Sequence, residues 1–239
     1  MPEPIEQIMI GQKPTRDRPL LGQTVLVIED SRFASEALRL MCLRSGARIR
    51  RADSLASATR HLTTYHPSIA VVDVGLPDGS GIDLIRQMAD AQPRVPVILA
   101  VSGDDGVKTG AMAAGADGYL AKPLTSLAAF QAAVTAHLPQ RFGLAPLRSV
   151  DDPTLAPDQL AYRDDLVRAA AVAQTGTDQG SLRYLAQFLG GLAKTVGDGA
   201  LEKAAIDLGT AVEEGASVKA ALTHLAKLIN VRLDDSIPV

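Results

Sequence analysis

Short aliphatic runs alternate with stretches of helical periodicity along the first 140 residues of this chain. Five runs are rich in β-branched or aliphatic residues and predict strands: 24–28, 47–52, 68–74, 95–101 and 117–121. The intervening stretches repeat their apolar residues at helical spacing and predict helices: 32–44, 55–65, 81–89, 105–114 and 124–138. This alternation predicts a parallel sheet with crossover helices on both faces.

The pattern changes after residue 140. Residues 141–157 contain several prolines and no clear period, which is typical of a linker. In residues 158–239, leucine and alanine recur at helical spacing over four segments. Residues 1–21 hold one small apolar cluster and read as an extension. We therefore predict an α/β, flavodoxin-like, doubly wound five-stranded parallel sheet over residues 22–140, followed by a small all-α domain.

Composition and charge narrow the function classes. The 239 residues carry a formal charge of −3, which provides no global field for nucleic acid or anionic membranes. Residues 147–239 hold nine basic and 13 acidic side chains, so nucleic acid is an unfavourable partner for that part. A lone Cys42 and an amino terminus without a basic, then apolar, leader favour a cytoplasmic location. The longest apolar stretches are too short to span a bilayer, and no membrane association is expected.

The most reactive side chains follow the predicted strands. Glu29 and Asp30 end the first strand, Asp73 the third and Ser102 the fourth, while Lys122 follows the fifth. In a doubly wound sheet these strand ends line one crevice, where ligands bind. Three carboxylates there, offering oxygen ligands only, suit a hard divalent cation such as Mg²⁺, or Mn²⁺ in its place.

Each of these residues also has an ordinary explanation. Glu29 and Asp30 precede a helix and can act as caps, and Asp73 can be a turn residue. Ser102 can belong to a routine loop, and Lys122 can be a surface lysine. Their joint placement at successive strand ends is what favours a functional site over these explanations.

Five sequence elements, in order, resemble the receiver domain of two-component response regulators over roughly residues 22–140. They are the acidic pair at 29 and 30, the loop DVGLPDGSG from Asp73, VSG at Ser102, the aromatic Tyr119, and the pair Lys122 and Pro123. The resemblance implies a phosphorylation switch in a phosphorelay.

The resemblance also assigns roles in the acidic crevice. Asp73 would be the phosphoacceptor, taking its phosphoryl group from a phosphohistidine of a sensor histidine kinase or phosphotransfer protein. Asp30, Asp73 and the backbone carbonyl of Gly75 would bind Mg²⁺ directly, and Glu29 mainly through water. An aspartate is ionised at neutral pH, so it needs positioning and charge relief and no general base.

The remaining roles concern phosphoryl binding and readout. By the same resemblance, Lys122 would pair with one phosphoryl oxygen and Ser102 would hydrogen-bond another, after which Tyr119 would move inward as the switch. The protein would then assist its own phosphorylation and dephosphorylation without being an enzyme for a separate metabolite. A less favoured alternative is a Mg²⁺-dependent phosphoester hydrolase built on the same crevice.

The sequence says less about how the phosphorylated protein would act on its target. The last helix of the α/β domain carries no charged residue, so we expect Phe130 and Val134 to pack against the C-terminal helices or another subunit. We expect output through a downstream protein partner or self-association. The alternative is transcriptional control through a divergent LuxR-like helix-turn-helix, because residues 217–231 resemble its recognition helix. His224 and Lys227 imitate a phosphotransfer spacing, but we interpret His224 as a helix-surface residue.

Overall fold

The first part of the chain folds around one parallel sheet. The structure is a computed structural model that describes residues 14–138, 158–176 and 178–235. The sheet has the strand order β2-β1-β3-β6-β7, with every neighbouring pair parallel. Its strands are β1 Thr24–Ile28, β2 Arg48–Ala52, β3 Ile69–Asp73, β6 Val97–Ser102 and β7 Gly118–Ala121. A small antiparallel hairpin follows β3, formed by β4 Gly75–Leu76 and β5 Gly79–Ser80. The predicted doubly wound, five-stranded fold is thereby confirmed.

Helices connect these strands, and serine side chains begin most of them. The helices are α1 Arg32–Arg44, α2 Leu55–Thr64, α3 Gly81–Asp90, α4 Lys108–Ala113 and α5 Leu127–Thr135. At the start of every one of these helices except α4, a serine hydroxyl accepts a hydrogen bond from a backbone N–H of the first turn; the serines are Ser31, Ser54, Ser80 and Ser126. Helix α4 starts later than predicted because residues 105–107 form a 3₁₀ turn.

The two faces of the sheet bury separate apolar layers. Successive residues of β1, such as Val25 and Leu26, point to opposite faces, as the period of a strand requires. Helices α1 and α5 cover one face, and α2, α3 and α4 cover the other. Since both faces are covered, the central strands are continuous aliphatic runs.

Helix α5 packs one face against its own domain. Phe130 and Val134 are buried in the layer that α5 shares with α1 and the sheet. Gln131 is buried beside them and donates a hydrogen bond to the hydroxyl of Ser45 at 3.1 Å. The expectation that Phe130 and Val134 pack against the C-terminal helices or another subunit was wrong, because the core of their own domain already buries both side chains.

The second described part is helical, as predicted. It comprises α6 Gln159–Thr175, α7 Gln179–Val196, α8 Gly199–Glu213 and α9 Lys219–Asp235. Each helix contacts the next, and α9 returns to contact α6, which closes a four-helix bundle. Its core is made of leucines and small residues from all four helices, including Leu166, Leu189, Leu208 and Ile229.

Parts of the predicted domain division lie outside the described residues. These are most of the extension predicted over residues 1–21 and the whole linker predicted over residues 141–157. Leu20 is described and fully buried in the α/β core, and its backbone N–H donates to the carbonyl of Ser45 at 2.8 Å. The folded domain therefore includes at least this residue of the predicted extension. Among the described helices, none has the length and apolar character needed to cross a membrane.

The bundle packs on the edge of the sheet where the strands end. Helix α6 contacts α1, and α7 contacts β4. Phe33 at the start of α1 belongs to the bundle's apolar core, where its ring meets that of Tyr162 edge-on at 6.4 Å. The two parts thus share a core at the carboxyl edge of the sheet.

Candidate active site at the carboxyl edge of the sheet

The side chains predicted at successive strand ends converge in the structure. Glu29 and Asp30 follow β1, Asp73 ends β3, Ser102 ends β6 and Lys122 follows β7. Both acidic residues after β1, together with Asp73 and Ser102, are buried. The strand order brings them together, because β1, β3 and β6 are adjacent in the sheet and run in the same direction.

Lys122 joins two of the carboxylates. Its Nζ lies 2.8 Å from Oδ2 of Asp73 and 2.7 Å from Oε2 of Glu29, and the lysine side chain is only 10% exposed. Burial alone would lower the pKa of Lys122, but the carboxylates of Asp73 and Glu29 outweigh it and raise that pKa above its ordinary value. The ammonium is therefore held charged beside Asp73.

Three carboxylates offer a compact set of metal ligands. Glu29, Asp30 and Asp73 each present an oxygen, and these oxygens all lie within 4.8 Å of one another. Within the described part of the chain, Oδ1 of Asp30 is buried without a hydrogen-bond donor. Since a buried carboxylate oxygen is normally paired, this geometry fits a hard cation bound by oxygen ligands.

The pKa values of two of these carboxylates also favour a bound cation. Burial and the neighbouring charge of Asp73 raise the pKa of Glu29 well above its ordinary range, although Lys122 opposes this. Burial also raises the pKa of Asp30 to about 6, against the hydrogen bond from Tyr184. Lys122 and Arg168, which lies 3.5 Å from Asp30, supply fewer positive charges than the three carboxylates carry, and a divalent cation would balance the rest.

The loop after β3 holds its shape through glycine. The N–H of Gly75 donates to Oδ1 of Asp73 at 3.2 Å, which places this backbone beside the proposed acceptor. Gly79 has a φ of +149°, a conformation that favours glycine. Position 81 requires glycine because there is no space for a side chain: a Cβ there would lie 2.0 Å from the carbonyl oxygen of Asp73.

The loop after β6 links Ser102 to Tyr119. The hydroxyl of Ser102 accepts a hydrogen bond from the N–H of Asp104 at 3.1 Å. The phenol of Tyr119 donates to the carbonyls of Asp104 at 2.9 Å and Ser102 at 3.3 Å. Any movement of Ser102 toward Asp73 would therefore disturb the hydrogen bonds of Tyr119.

Comparison with known proteins agrees with this geometry. Residues 25–134 match the family model described as "Response regulator receiver domain". The transcriptional regulatory protein KdpE of Mycobacterium tuberculosis is 32% identical over 182 residues, which cover 75% of this chain and 78% of the relative. The chain belongs to the two-component response regulators.

Other relatives match a shorter part of this response regulator. The KDP operon transcriptional regulatory protein KdpE of Escherichia coli is 33% identical over 99 residues, which span 41% of this chain and only 44% of the relative. Among solved structures, the receiver domain of a Pseudomonas aeruginosa sensor histidine kinase, with a magnesium ion in its active-site cleft, is 25% identical. That match covers 48% of this chain and 97% of the other, with a TM-score of 0.44.

The bundle adds residues to the receiver site that sequence reasoning missed. Asp165 on α6 is 1% exposed and accepts three hydrogen bonds from the start of α1. The donors are the Ser31 hydroxyl at 2.7 Å, the Arg32 N–H at 2.8 Å and the Phe33 N–H at 3.1 Å. The one available signal was an aspartate within the apolar stripe of a predicted helix, which indicates a buried polar contact.

Two further bundle residues reach the proposed metal ligand itself. The hydroxyl of Tyr184 on α7 donates to Oδ2 of Asp30 at 2.5 Å. Arg168 on α6 donates to the backbone carbonyl of Asp30 at 2.7 Å and lies 3.5 Å from Oδ2. No sequence pattern relates these positions to Asp30, because they lie more than a hundred residues away along the chain.

Proposed function

We propose that Asp73 is the phosphoacceptor of this response regulator and that the transfer needs Mg²⁺ or Mn²⁺. The observation that carries this proposal is the convergence of three buried carboxylates on one site with Lys122 bound to Asp73. The donor would be a phosphohistidine of a sensor histidine kinase or phosphotransfer protein. Asp73 would act on no separate metabolite, so the protein would not be an enzyme in that sense.

The residues present suit a divalent cation. Asp30 and Asp73 would hold it directly, with the backbone carbonyl of Gly75, and Glu29 would act mainly through water. When bound, the cation supplies positive charge that offsets repulsion between the acceptor carboxylate and the phosphoryl oxygens. The unpartnered Oδ1 of Asp30 supports this assignment.

The transfer itself requires position more than acid–base chemistry. An oxygen of Asp73 forms a bond to phosphorus while the bond between phosphorus and the donor's imidazole nitrogen breaks, and the electron pair leaves with that nitrogen. Lys122 is already 2.8 Å from Asp73 and would pair with a phosphoryl oxygen. Ser102 would turn from the N–H of Asp104 to the phosphoryl group, and Tyr119 would respond through the shared loop.

One substitution tests the assignment. Asp73→Asn should abolish phosphorylation by acetyl phosphate or by a phosphohistidine donor while leaving the far-UV circular dichroism spectrum unchanged. Asp83→Asn is a matched control, because Asp83 is an exposed aspartate on α3 paired only with Arg86 in the described chain. Retention of a stable phosphoryl group by Asp73→Asn would refute the proposal.

The output we propose is a change in protein contacts of the helical bundle, through a downstream partner or self-association. A second candidate is DNA binding, because the relatives named above are transcriptional regulators. Two observations weigh against it: the net acidity of residues 147–239, and α9, whose Leu225 and Ile229 lie in the bundle core. Sequence-selective DNA binding with a steep salt dependence would favour the second candidate.

A further inference from the structure

Helix α7 lies across the opening of the receiver site. Its residues at helical spacing contact successive receiver loops, beginning with Tyr184, which donates to Asp30 after β1. Gln187, one turn further, sits against Gly75 after β3, where a Cβ would lie 2.5 Å from the glutamine Nε2.

The same helix then meets the loop after β6. A Cβ on Gly103 would lie 3.4 Å from the Cα of Gly191, so the helix and loop backbones approach closely there. One turn further, Nζ of Lys194 donates to the carbonyl of Gly103 at 3.4 Å. Gly103 directly follows Ser102, so α7 contacts the loop that would have to move after phosphorylation.

The space left above Asp73 is small. The cavity is lined by Asp73, Lys122 and Ser102 from the receiver and by Phe188 and Gly191 from α7. The centre of a water molecule can range over only about 30 Å³ of it, roughly enough for two waters. A phosphoryl group arriving with its leaving group needs more room, and a protein donor needs the surface that α7 occupies.

Resting on the proposed function, we infer that the bundle is a tethered competitor of the phosphoryl donor: with α7 docked, Asp73 is closed to donors, and only the undocked chain is phosphorylated. The apparent rate of phosphorylation then equals the intrinsic rate multiplied by the undocked fraction. Because bundle and receiver share one chain, the bundle competes at an effective concentration of about millimolar. A donor in solution is therefore at a disadvantage until docking weakens.

Linkage makes this competition reciprocal. If docking disfavours a phosphoryl group on Asp73, a phosphoryl group on Asp73 disfavours docking by the same factor. Phosphorylation would then release the face of α7 that carries Tyr184, Phe188 and Gly191. That face is the surface through which the bundle would meet its protein partner.

Asp165→Ala tests the inference by weakening docking away from Asp73. It removes the three hydrogen bonds to the start of α1, and hydrogen bonds to a charged group are among the strong ones. With phosphoramidate as the donor, which needs no partner recognition, we expect the full chain to be phosphorylated roughly tenfold faster or more. Asp164→Ala is the matched control, because its exposed ion pair with Arg32 contributes little, and its rate should stay within about twofold of wild type.

A cross-link supplies the opposite perturbation. In the double variant Gly103→Cys/Gly191→Cys, a disulfide formed on oxidation would lock α7 in its docked position, while the native Cys42 stays buried. Phosphorylation by phosphoramidate should fall at least about tenfold in the oxidised protein and recover after reduction. Prior phosphorylation should slow formation of this disulfide.

The outcomes separate the two proposals. If oxidised, reduced and Asp165→Ala proteins are all phosphorylated on Asp73 at one rate, the competition is refuted and the acceptor assignment stands. If none of these proteins is phosphorylated, or if their phosphorylation persists when Asp73→Asn is added, the acceptor assignment itself fails.

Discussion

Replacing Asp30 with asparagine should stabilise this protein in the absence of metal. Asp30 is buried beside Glu29 and Asp73, with Lys122 as the shared cation of the site. Its pKa lies at about 6 instead of 3.8, so its charge begins to destabilise the folded state as the pH rises above 3.8, and the full penalty is present above about pH 6. At neutral pH the penalty amounts to roughly 3 kcal/mol.

The amide of Asp30→Asn removes that charge and keeps the hydrogen bond from Tyr184, because its oxygen can still accept. Its NH₂ group can also donate to the neighbouring carboxylates. Some attraction to Arg168 is lost, so we expect a net gain of roughly 1–3 kcal/mol in the free energy of unfolding. This corresponds to a rise of about 0.5–1 M in the urea midpoint.

The assay is urea denaturation at neutral pH followed by far-UV circular dichroism, because the chain contains no tryptophan. It is run with a chelator and again with saturating Mg²⁺. Mg²⁺ should raise the urea midpoint of the wild type and so remove the difference in midpoint between wild type and Asp30→Asn, because the cation balances the charge that the substitution removes. Asp83→Asn, on the exposed face of α3, should stay within about 0.5 kcal/mol of wild type in both conditions.

An Asp30→Asn protein that is no more stable than wild type with the chelator would refute the reasoning. So would a gap that Mg²⁺ leaves unchanged. Either result would mean that the three carboxylates are balanced by protein groups, and the case for a cation at this site would weaken.

Two further predictions concern the bundle and the loop after Asp73. Asp198 caps α8 and pairs with Arg232, and this pairing lowers the pKa of Asp198. The carboxylate therefore stabilises the fold at pH values above the unfolded-state pKa, and this stabilisation is lost as the pH falls through the folded-state pKa. Asp198→Ala should therefore cost about 1–2 kcal/mol in urea denaturation at neutral pH, and this cost should shrink as the pH falls below the unfolded pKa toward the lowered folded one. Gly81→Ala should cost at least about 2 kcal/mol and slow phosphorylation, because its Cβ would meet the carbonyl of Asp73. Gly199→Ala, whose Cβ would meet nothing within 4 Å, should be nearly neutral in the same measurements.

Periodicity predicted the fold class because it reflects local requirements. The strands must be buried on both faces and the helices on one face, so the strands are continuous aliphatic runs and the helices repeat their apolar residues at helical spacing. The site residues Glu29, Asp73 and Ser102 could be placed by the same logic, since the ends of parallel strands share one edge.

Details that depend on close approach were less predictable. The composition of the loop after Asp73 indicated a turn, but the need for glycine at position 81 comes from the space beside a carbonyl. The absence of charge on α5 wrongly indicated a covered outer face, because Ala129 and Ala132 there are exposed. It did not reveal that Phe130 and Val134 are buried within their own domain.

By itself, then, the amino-acid sequence determined the five-stranded sheet, the helical character of the second part and the acidic residues at the strand ends. Only the tertiary structure decided where the bundle lies, and with it the contacts of Asp165 and Tyr184 at the receiver site. The physical reason is that periodicity records which face of an element is buried and carries no information on which distant surface buries it. That choice depends on complementary shape and hydrogen bonds between segments more than a hundred residues apart.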